Sequence, residues 1–221
     1  GILPLYYGIR NGRLFFASEV KSILAGFGAA PTLDPDALAQ LMAFWAPVSP
    51  QTLFKGVLEV RPGQLLVVSG GNVQVRQYWD WTFPQDGEYH NASAETQADT
   101  LHDLLVDATR LRLRSDVPVG AYLSGGLDSS VLVAIIHHYG NVPLRTFSIG
   151  FEDADYDESK YQQQMIDHLG ADHSRISCGN SDIAQAFAQA IWHTEAPVLR
   201  TAPVPMMLLS GLVRSQGYKV V

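Results

Sequence analysis

The stretch Leu123-Ser124-Gly125-Gly126-Leu127-Asp128-Ser129-Ser130 decides the fold of the second half of this 221-residue chain. Residues 117 to 123 before it are mostly apolar, as in a strand that is buried in a parallel sheet. After it, apolar side chains repeat at helical spacing as far as Gly140. Glycines allow a ligand to approach the backbone, and the free N–H groups at a helix start face an anion. The sequence therefore predicts a strand, a phosphate-binding loop and a helix.

The loop differs from the two common nucleotide-binding motifs. It has no lysine of the Walker type and no third glycine of the dinucleotide fingerprint. A Gly-Gly turn by itself is equally typical of an ordinary connection, because glycine is a frequent turn residue. The combination of Ser124, two glycines, Asp128 and Ser129 favours a nucleotide site of another type.

The segment Ser124-Gly-Gly-Leu-Asp-Ser-Ser130 resembles the pyrophosphate loop of the N-type ATP pyrophosphatases, which cleave ATP between the α and β phosphates. Together with Gly1-Ile-Leu-Pro-Leu-Tyr-Tyr-Gly8, Phe16-Ala-Ser-Glu-Val-Lys21 and Pro62-Gly63, it resembles glutamine-dependent asparagine synthetases over nearly the whole chain. The resemblance implies an α+β fold for residues 1–80, as the end of an N-terminal-nucleophile glutaminase domain. A linker over 81–94 and an α/β domain with a parallel sheet, the start of an ATP-pyrophosphatase synthetase domain, over 95–221 would follow.

The same resemblance implies an activity. It implies that ATP and Mg²⁺ serve to convert aspartate to asparagine through a β-aspartyl-AMP intermediate, with ammonia from glutamine and release of AMP and pyrophosphate. It is compatible with a homodimer. The glutaminase nucleophile, an N-terminal cysteine, would lie before Gly1, and an acidic second ATP motif would begin after Val221. Two alternatives stay open: a related cyclase of the β-lactam synthetase or lasso-peptide type, and a homologue that binds nucleotide without turnover.

Site residues are also implied by the resemblance. Adenosine would lie against the strand ends and the triphosphate in the loop, so the predicted ATP-binding residues are Tyr122, Leu123, Ser124, Gly125, Gly126, Leu127, Asp128, Ser129, Ser130 and Ile149. Glu195 and Arg200 fall in the segment where the family binds aspartate, and an arginine fork suits a carboxylate. Here the segment reads Val198-Leu199-Arg200, where asparagine synthetases carry more polar residues.

Asp128 has two predicted roles. As the N-cap of the helix after the loop, it would contribute about 1 kcal/mol. Among phosphates, an uncompensated carboxylate would repel the ligand, so a nucleotide site requires Mg²⁺ between them. We therefore expect Asp128 to be a Mg²⁺ ligand and, secondarily, a helix cap.

Turn and periodicity signals predict the order of elements in both halves. The first half contains hairpins that turn at Asn11-Gly12 and Gly70-Gly71. It also contains one helix after Asp34, with Leu38, Leu41, Met42 and Trp45 on one face. The second half alternates helices near 95–114, 129–139, 157–169, 181–193 and 204–216 with strands at 117–123, 144–149, 173–177 and from 218.

Composition and charge disfavour several classes of function. With 22 acidic and 15 basic residues, the net charge of −7 disfavours binding to nucleic acid. No apolar run reaches the length needed to span a bilayer, and residues 1–20 do not have a basic stretch followed by an apolar one. The single cysteine, Cys178, cannot form an internal disulfide and is expected to be a buried or incidental thiol. Together these features predict a cytoplasmic enzyme without nucleic-acid or membrane partners.

Overall fold

The computed structural model describes residues 3–88, 91–140 and 143–221, which divide into two compact units. The first unit comprises Gly1–Glu88 with Ile191–Leu199, and the second comprises Tyr89–Ala190 with Arg200–Val221. A short segment late in the sequence therefore belongs to the first unit. Within the described ranges, no helix is both long and apolar enough to cross a membrane.

The first unit is built on two antiparallel arrangements of strands. Strands β1 (Tyr6–Arg10), β2 (Arg13–Ala17) and β3 (Val57–Glu59) form a sheet in the order β2-β1-β3. Strands β4 (Gln64–Ser69) and β5 (Asn72–Gln77) form a separate hairpin. Both predicted hairpins are confirmed, and the two central residues of each turn have positive φ, from 51° to 82°. Such turns match the twist of the flanking strands.

Two helices accompany these strands, α1 (Val20–Phe27) and α2 (Pro35–Phe44). The predicted cap of α2 is confirmed, since Asp34 Oδ1 accepts hydrogen bonds from the N–H groups of Asp36 and Ala37 at 3.0 and 3.3 Å. The predicted apolar face is wrong in part. Ala37 and Leu41 are buried against Leu53, whereas the side chains at positions 42 and 45 are more than half exposed.

For Trp45, the reason is the end of the helix. Trp45 is the C-cap of α2 and adopts a left-handed conformation with φ 67°, so it leaves the helical face that residues 37 and 41 share. Helix α1 and strand β3 were not expected from the sequence. Each is short, and a short element owes its stability to tertiary contacts more than to local propensity.

The second unit contains the predicted parallel sheet. Strands β6 (Ala121–Tyr122), β7 (Arg145–Phe151) and β8 (Asp172–Cys178) pair in that order. The expected helices are present as α3 (Ala94–Arg112), α4 (Leu127–Tyr139), α5 (Ser159–Leu169), α6 (Asn180–Thr194) and α7 (Pro203–Ser215). The α/β class predicted for this half is confirmed.

Two strand predictions in this unit are wrong in length. The strand expected over 117–123 is regular only at Ala121 and Tyr122, and the strand expected from 218 is a single bridge of Val220 to Val119. Pro118 has no N–H group and so cannot donate to a sheet. Beyond the short strand, the N–H of Leu123 still donates to the carbonyl of Phe147 at 2.9 Å, so pairing with β7 extends as far as the loop.

Both faces of the parallel sheet are covered. Ala121 and Leu123 pack with α4 and α5, while Tyr122, whose side chain points to the opposite face, packs with the α7 cluster. Phe147 has no exposed surface and contacts Leu209 and Val213 of α7. The sheet is therefore held rigidly, and the loop after β6 emerges at its carboxyl edge, where ligands of open α/β sheets bind.

We expect Phe147→Ala to lower the free energy of unfolding by about 3–5 kcal/mol, because it removes a completely buried aromatic ring and leaves a cavity. Phe16→Ala is the control, since this side chain in the first unit is 69% exposed and its removal should change stability by about 0.5 kcal/mol or less. Chemical denaturation followed by circular dichroism measures both. Equal effects of the two substitutions would contradict this account of the core.

Candidate nucleotide site

The predicted phosphate loop lies between β6 and α4. Leu123 is buried at the end of the strand, and Gly126 is the N-cap of α4, which begins at Leu127. The N–H groups of the first turn of a helix have no acceptor within the helix and carry its positive dipole end. These groups stand at the carboxyl edge of the parallel sheet, so the loop has the backbone arrangement of an anion site.

The serine hydroxyls of the loop bond mainly to the loop itself. Ser129 Oγ accepts from the N–H of Ser124 at 3.1 Å and lies 2.9 Å from Ser124 Oγ, which in turn accepts from the N–H of Gly126 at 3.2 Å. Ser130 Oγ donates to the carbonyl of Gly126 at 2.8 Å. These bonds fix the conformation of the turn.

The two glycines of the loop are required for different reasons. Gly125 has φ 93°, and a Cβ there would lie 3.0 Å from both the carbonyl oxygen and the Cβ of Glu158. Gly126 has φ −76°, which any residue adopts, and a Cβ there would meet only Ser124 Oγ at 3.4 Å. The contacts of the protein itself therefore explain Gly125, whereas neither the φ nor the space at position 126 requires glycine.

Asp128 is exposed in the first turn of α4, beside the loop. Its predicted secondary role as the helix cap is wrong, because the N-cap position is occupied by Gly126 two residues earlier. In the part of the chain that the structure describes, no cluster of three or more His, Cys, Asp or Glu side chains could hold a metal ion. Asp128 is thus an exposed carboxylate beside the loop, and its role as a Mg²⁺ ligand stays a prediction.

The residues predicted to contact adenosine lie on the two strands next to the loop. Tyr122 is half-buried, with its hydroxyl 3.3 Å from Ser210 Oγ. Ile149 is half-buried near the end of β7, and its carbonyl accepts a hydrogen bond from Gln162 Nε2 at 3.0 Å. The structure therefore brings positions 122 to 130 and 149 to one edge of the sheet. The assignment of these residues to ATP stays a prediction.

Gln162 is part of this region and was not anticipated from the sequence. Its Nε2 also donates to the carbonyl of Ser124 at 3.1 Å, and the residue is 2% exposed. One signal could have revealed it: residue 162 lies on the helical face of Met165, Ile166 and Leu169, where a glutamine interrupts an apolar pattern.

Two titratable side chains near the ends of β7 and β8 have pKa values that their surroundings shift. The Ser159 hydroxyl, followed by the N–H of Phe151, lowers the pKa of the Asp157 carboxyl, which accepts hydrogen bonds from both. Burial raises the pKa of the Cys178 thiol, and the charges of Asp182 and Glu152 raise it further. The thiol is therefore kept protonated, which agrees with the expected buried cysteine.

Glu195 has a structural contact in the first unit. Its carboxylate accepts from the N–H groups of Val20 and Lys21 at 2.7 and 2.6 Å, and Lys21 Nζ lies 3.4 Å away. The N-cap residue of α1, Glu19, makes no side-chain cap bond of its own, so Glu195 caps this helix from 175 residues away. Arg200 belongs to the second unit. Binding of a substrate carboxylate by either residue stays a prediction.

Comparison with known proteins identifies two regions of similarity. The family model for asparagine synthase matches residues 100–221, and the model for a glutamine amidotransferase domain matches residues 1–79. Among curated proteins, the chain is 33% identical to Amidase chyE of Penicillium rubens, over 100% of this chain and 34% of that protein. It is 30% identical to Asparagine synthetase [glutamine-hydrolyzing] 1 of Bacillus subtilis, over 95% of this chain and 32% of that protein.

The chain thus spans about one third of the length of these relatives. Similarity to solved structures is weaker. Glutamine-dependent NAD+ synthetase from Acinetobacter baumannii, in complex with ADP, aligns over 97% of this chain and 49% of that chain, with 16% identity and a TM-score of 0.42. That score is below the level from which a common fold follows.

Glu195→Gln should lower the free energy of unfolding of the first unit by about 2 kcal/mol, because a charged acceptor of two backbone N–H groups is replaced by a neutral amide. Glu19→Gln is the matched control: it removes an ion pair to the same lysine, from a side chain that is 49% exposed, and should cost about 1 kcal/mol or less. Denaturation curves test this, and a larger loss for Glu19→Gln would contradict the capping role.

Proposed function

The chain belongs to the asparagine synthase family, and on that premise we propose that it forms part of an ATP-dependent ligase that adenylates a carboxylate and converts it to an amide. One observation carries the proposal, namely the loop from Ser124 to Ser130 at the carboxyl edge of a parallel sheet. The backbone of the loop leads into the first turn of α4. The fold has space for a side chain at position 126, and glycine leaves that space to a ligand. This arrangement suits the pyrophosphate part of ATP.

The proposed reaction follows from the part of ATP that the loop would bind, namely its pyrophosphate. A carboxylate oxygen of the substrate attacks the α-phosphorus, the bond to the bridging oxygen breaks, and pyrophosphate leaves into the loop. Ammonia then attacks the acyl carbon, AMP departs, and the nitrogen loses a proton to give the amide. The loop contains no lysine of the kind that assists γ-phosphoryl transfer, which favours cleavage between the α and β phosphates.

Ammonia would come from glutamine. The match of residues 1–79 to a glutamine amidotransferase domain supports this source, as does the printed description of the Bacillus subtilis relative as glutamine-hydrolyzing. With aspartate as the acceptor, the intermediate would be β-aspartyl-AMP and the product asparagine. The cytoplasmic location, the homodimer, and the boundaries 1–80, 81–94 and 95–221 stay predictions.

Mg²⁺ fits the donor set at the loop. Magnesium is commonly bound by one or two carboxylates together with substrate phosphates, and Asp128 is an exposed carboxylate in the first turn of α4. When bound, the ion neutralises phosphate charge. Asp128 would hold it, and the first-turn amides of α4 would orient the phosphate oxygens.

A second candidate for the acceptor is a carboxylate other than aspartate. The relative at 33% identity is described as an amidase, and two of the residues in the segment Val198-Leu199-Arg200 are apolar. Pyrophosphate release measured with aspartate and with a panel of larger carboxylic acids would distinguish the two acceptors.

Gly126→Ala tests the observation on which the proposal rests. In the full-length protein, it should leave the free energy of unfolding within about 1 kcal/mol of the wild type, because its φ suits alanine and its Cβ meets no backbone atom. It should nevertheless weaken MgATP binding, while glutamine hydrolysis continues. Gly125→Ala should instead destabilise the fold by about 2 kcal/mol, owing to its φ of 93°. Unchanged MgATP affinity in a folded Gly126→Ala protein would refute the phosphate-binding role.

Asp128→Asn should reduce pyrophosphate release by about 100-fold or more, since it removes the charge that holds Mg²⁺ against the phosphates. Asp99→Asn, which changes an exposed carboxylate on α3, is the control and should retain full activity. The nucleotide product should be AMP in both cases. Formation of ADP and phosphate by the wild-type protein would disprove the proposed reaction.

A further inference from the structure

Helix α5 carries three consecutive glutamines, of which one is buried. Gln162 is 2% exposed, whereas Gln163 and Gln164 are exposed to solvent. A long amide side chain is rarely buried without a specific set of hydrogen bonds. The position therefore requires an explanation that packing alone does not supply, since its neighbours on the same helical face are apolar.

The amide of Gln162 joins two strand ends. Both hydrogens of Nε2 are used, one to the carbonyl of Ser124 at 3.1 Å and the other to the carbonyl of Ile149 at 3.0 Å. Because both partners are acceptors, the nitrogen and not the oxygen must face them. One carbonyl follows β6 and the other lies near the end of β7, so a single side chain spans the two neighbouring strands at their carboxyl edge.

The start of α5 also lies directly against the phosphate loop. A Cβ atom added to Gly125 would lie 3.4 Å from Gln162 Cγ and 3.0 Å from the carbonyl oxygen of Glu158. The path of the loop is therefore determined on one side by its own serines and on the other by α5. A shift of the Gln162 side chain would have to move Gly125 or release the carbonyl of Ser124.

The amide oxygen of Gln162 has an unusual environment. Among the described residues, Gln162 Oε1 is buried and has no hydrogen-bond partner. An apolar side chain of similar length would pack here without leaving a buried acceptor, so the donor function of Nε2 is what the position requires.

We propose that Gln162 is a positioning residue of the nucleotide site. By holding the carbonyls of Ser124 and Ile149 in a fixed relation, it sets the distance between the loop that receives the phosphates and the strand end that receives adenosine. It acts through these two backbone groups and not by direct chemistry. This inference rests on the proposed function, because it assumes that both groups face the same nucleotide.

Gln162→Met in the full-length protein is the test, with Gln163→Met as the matched control on the adjacent exposed position. Methionine keeps the length of the side chain but cannot donate to either carbonyl. MgATP affinity, measured by isothermal titration calorimetry, should fall at least about 10-fold in Gln162→Met, equivalent to about 1.4 kcal/mol. In Gln163→Met it should stay within about 2-fold of the wild type.

The outcomes separate this inference from the proposed function. A wild-type protein that binds no MgATP would overturn both. A wild-type protein that binds MgATP, together with a folded Gln162→Met variant of unchanged affinity, would overturn the role of Gln162 alone.

A second measurement uses only the wild-type protein and so does not depend on the variant folding. Backbone hydrogen exchange, followed by mass spectrometry, should slow on addition of MgATP in residues 123–130 and also in the first turns of α5. Slower exchange in the loop, with no change in α5, would contradict coupling through Gln162.

Discussion

The geometry of the candidate site depends on the need to satisfy backbone polar groups where buried strands end. At the carboxyl edge of the sheet, the ladder between β6 and β7 stops after the bond from the N–H of Leu123 to the carbonyl of Phe147. The carbonyl of Ser124 accepts a hydrogen bond from Gln162, and the N–H groups of Ser124 and Gly126 donate to the hydroxyls of Ser129 and Ser124. The first-turn amides of α4 have no acceptor within the helix, and the proposed anion site relies on them.

These internal hydrogen bonds explain the amino-acid composition of the loop. Ser124, Ser129 and Ser130 are not interchangeable sources of hydroxyl groups, since each has a defined partner in the turn. Gly125 is needed for the positive φ and the approach of Glu158. The internal hydrogen bonds of these serines therefore fix the shape of the loop.

A carboxylate in a functional segment need not bind substrate. Glu195 lies in the stretch that family resemblance associates with the acceptor, yet both of its oxygens accept hydrogen bonds from the start of α1. The attraction of a negative charge to a helix N-terminus is the same effect on which the proposed anion site at the start of α4 relies. At α1 the protein supplies the anion itself.

The sequence by itself determined the features that depend on neighbours a few residues apart. The hairpins at residues 11–12 and 70–71, the Asp34 cap, the alternation of helices and strands after residue 94, and the strand–loop–helix around Ser124 all follow from turn chemistry and periodicity. Only the tertiary structure decided that Gly126 and not Asp128 caps α4, and that Ala37 rather than Met42 faces the core. It alone paired Gln162 with carbonyls 38 and 13 residues away, and Glu195 with a helix 175 residues away. Contacts of this kind join side chains to distant backbone groups that have no sequence signature, because every residue carries the same N–H and C=O.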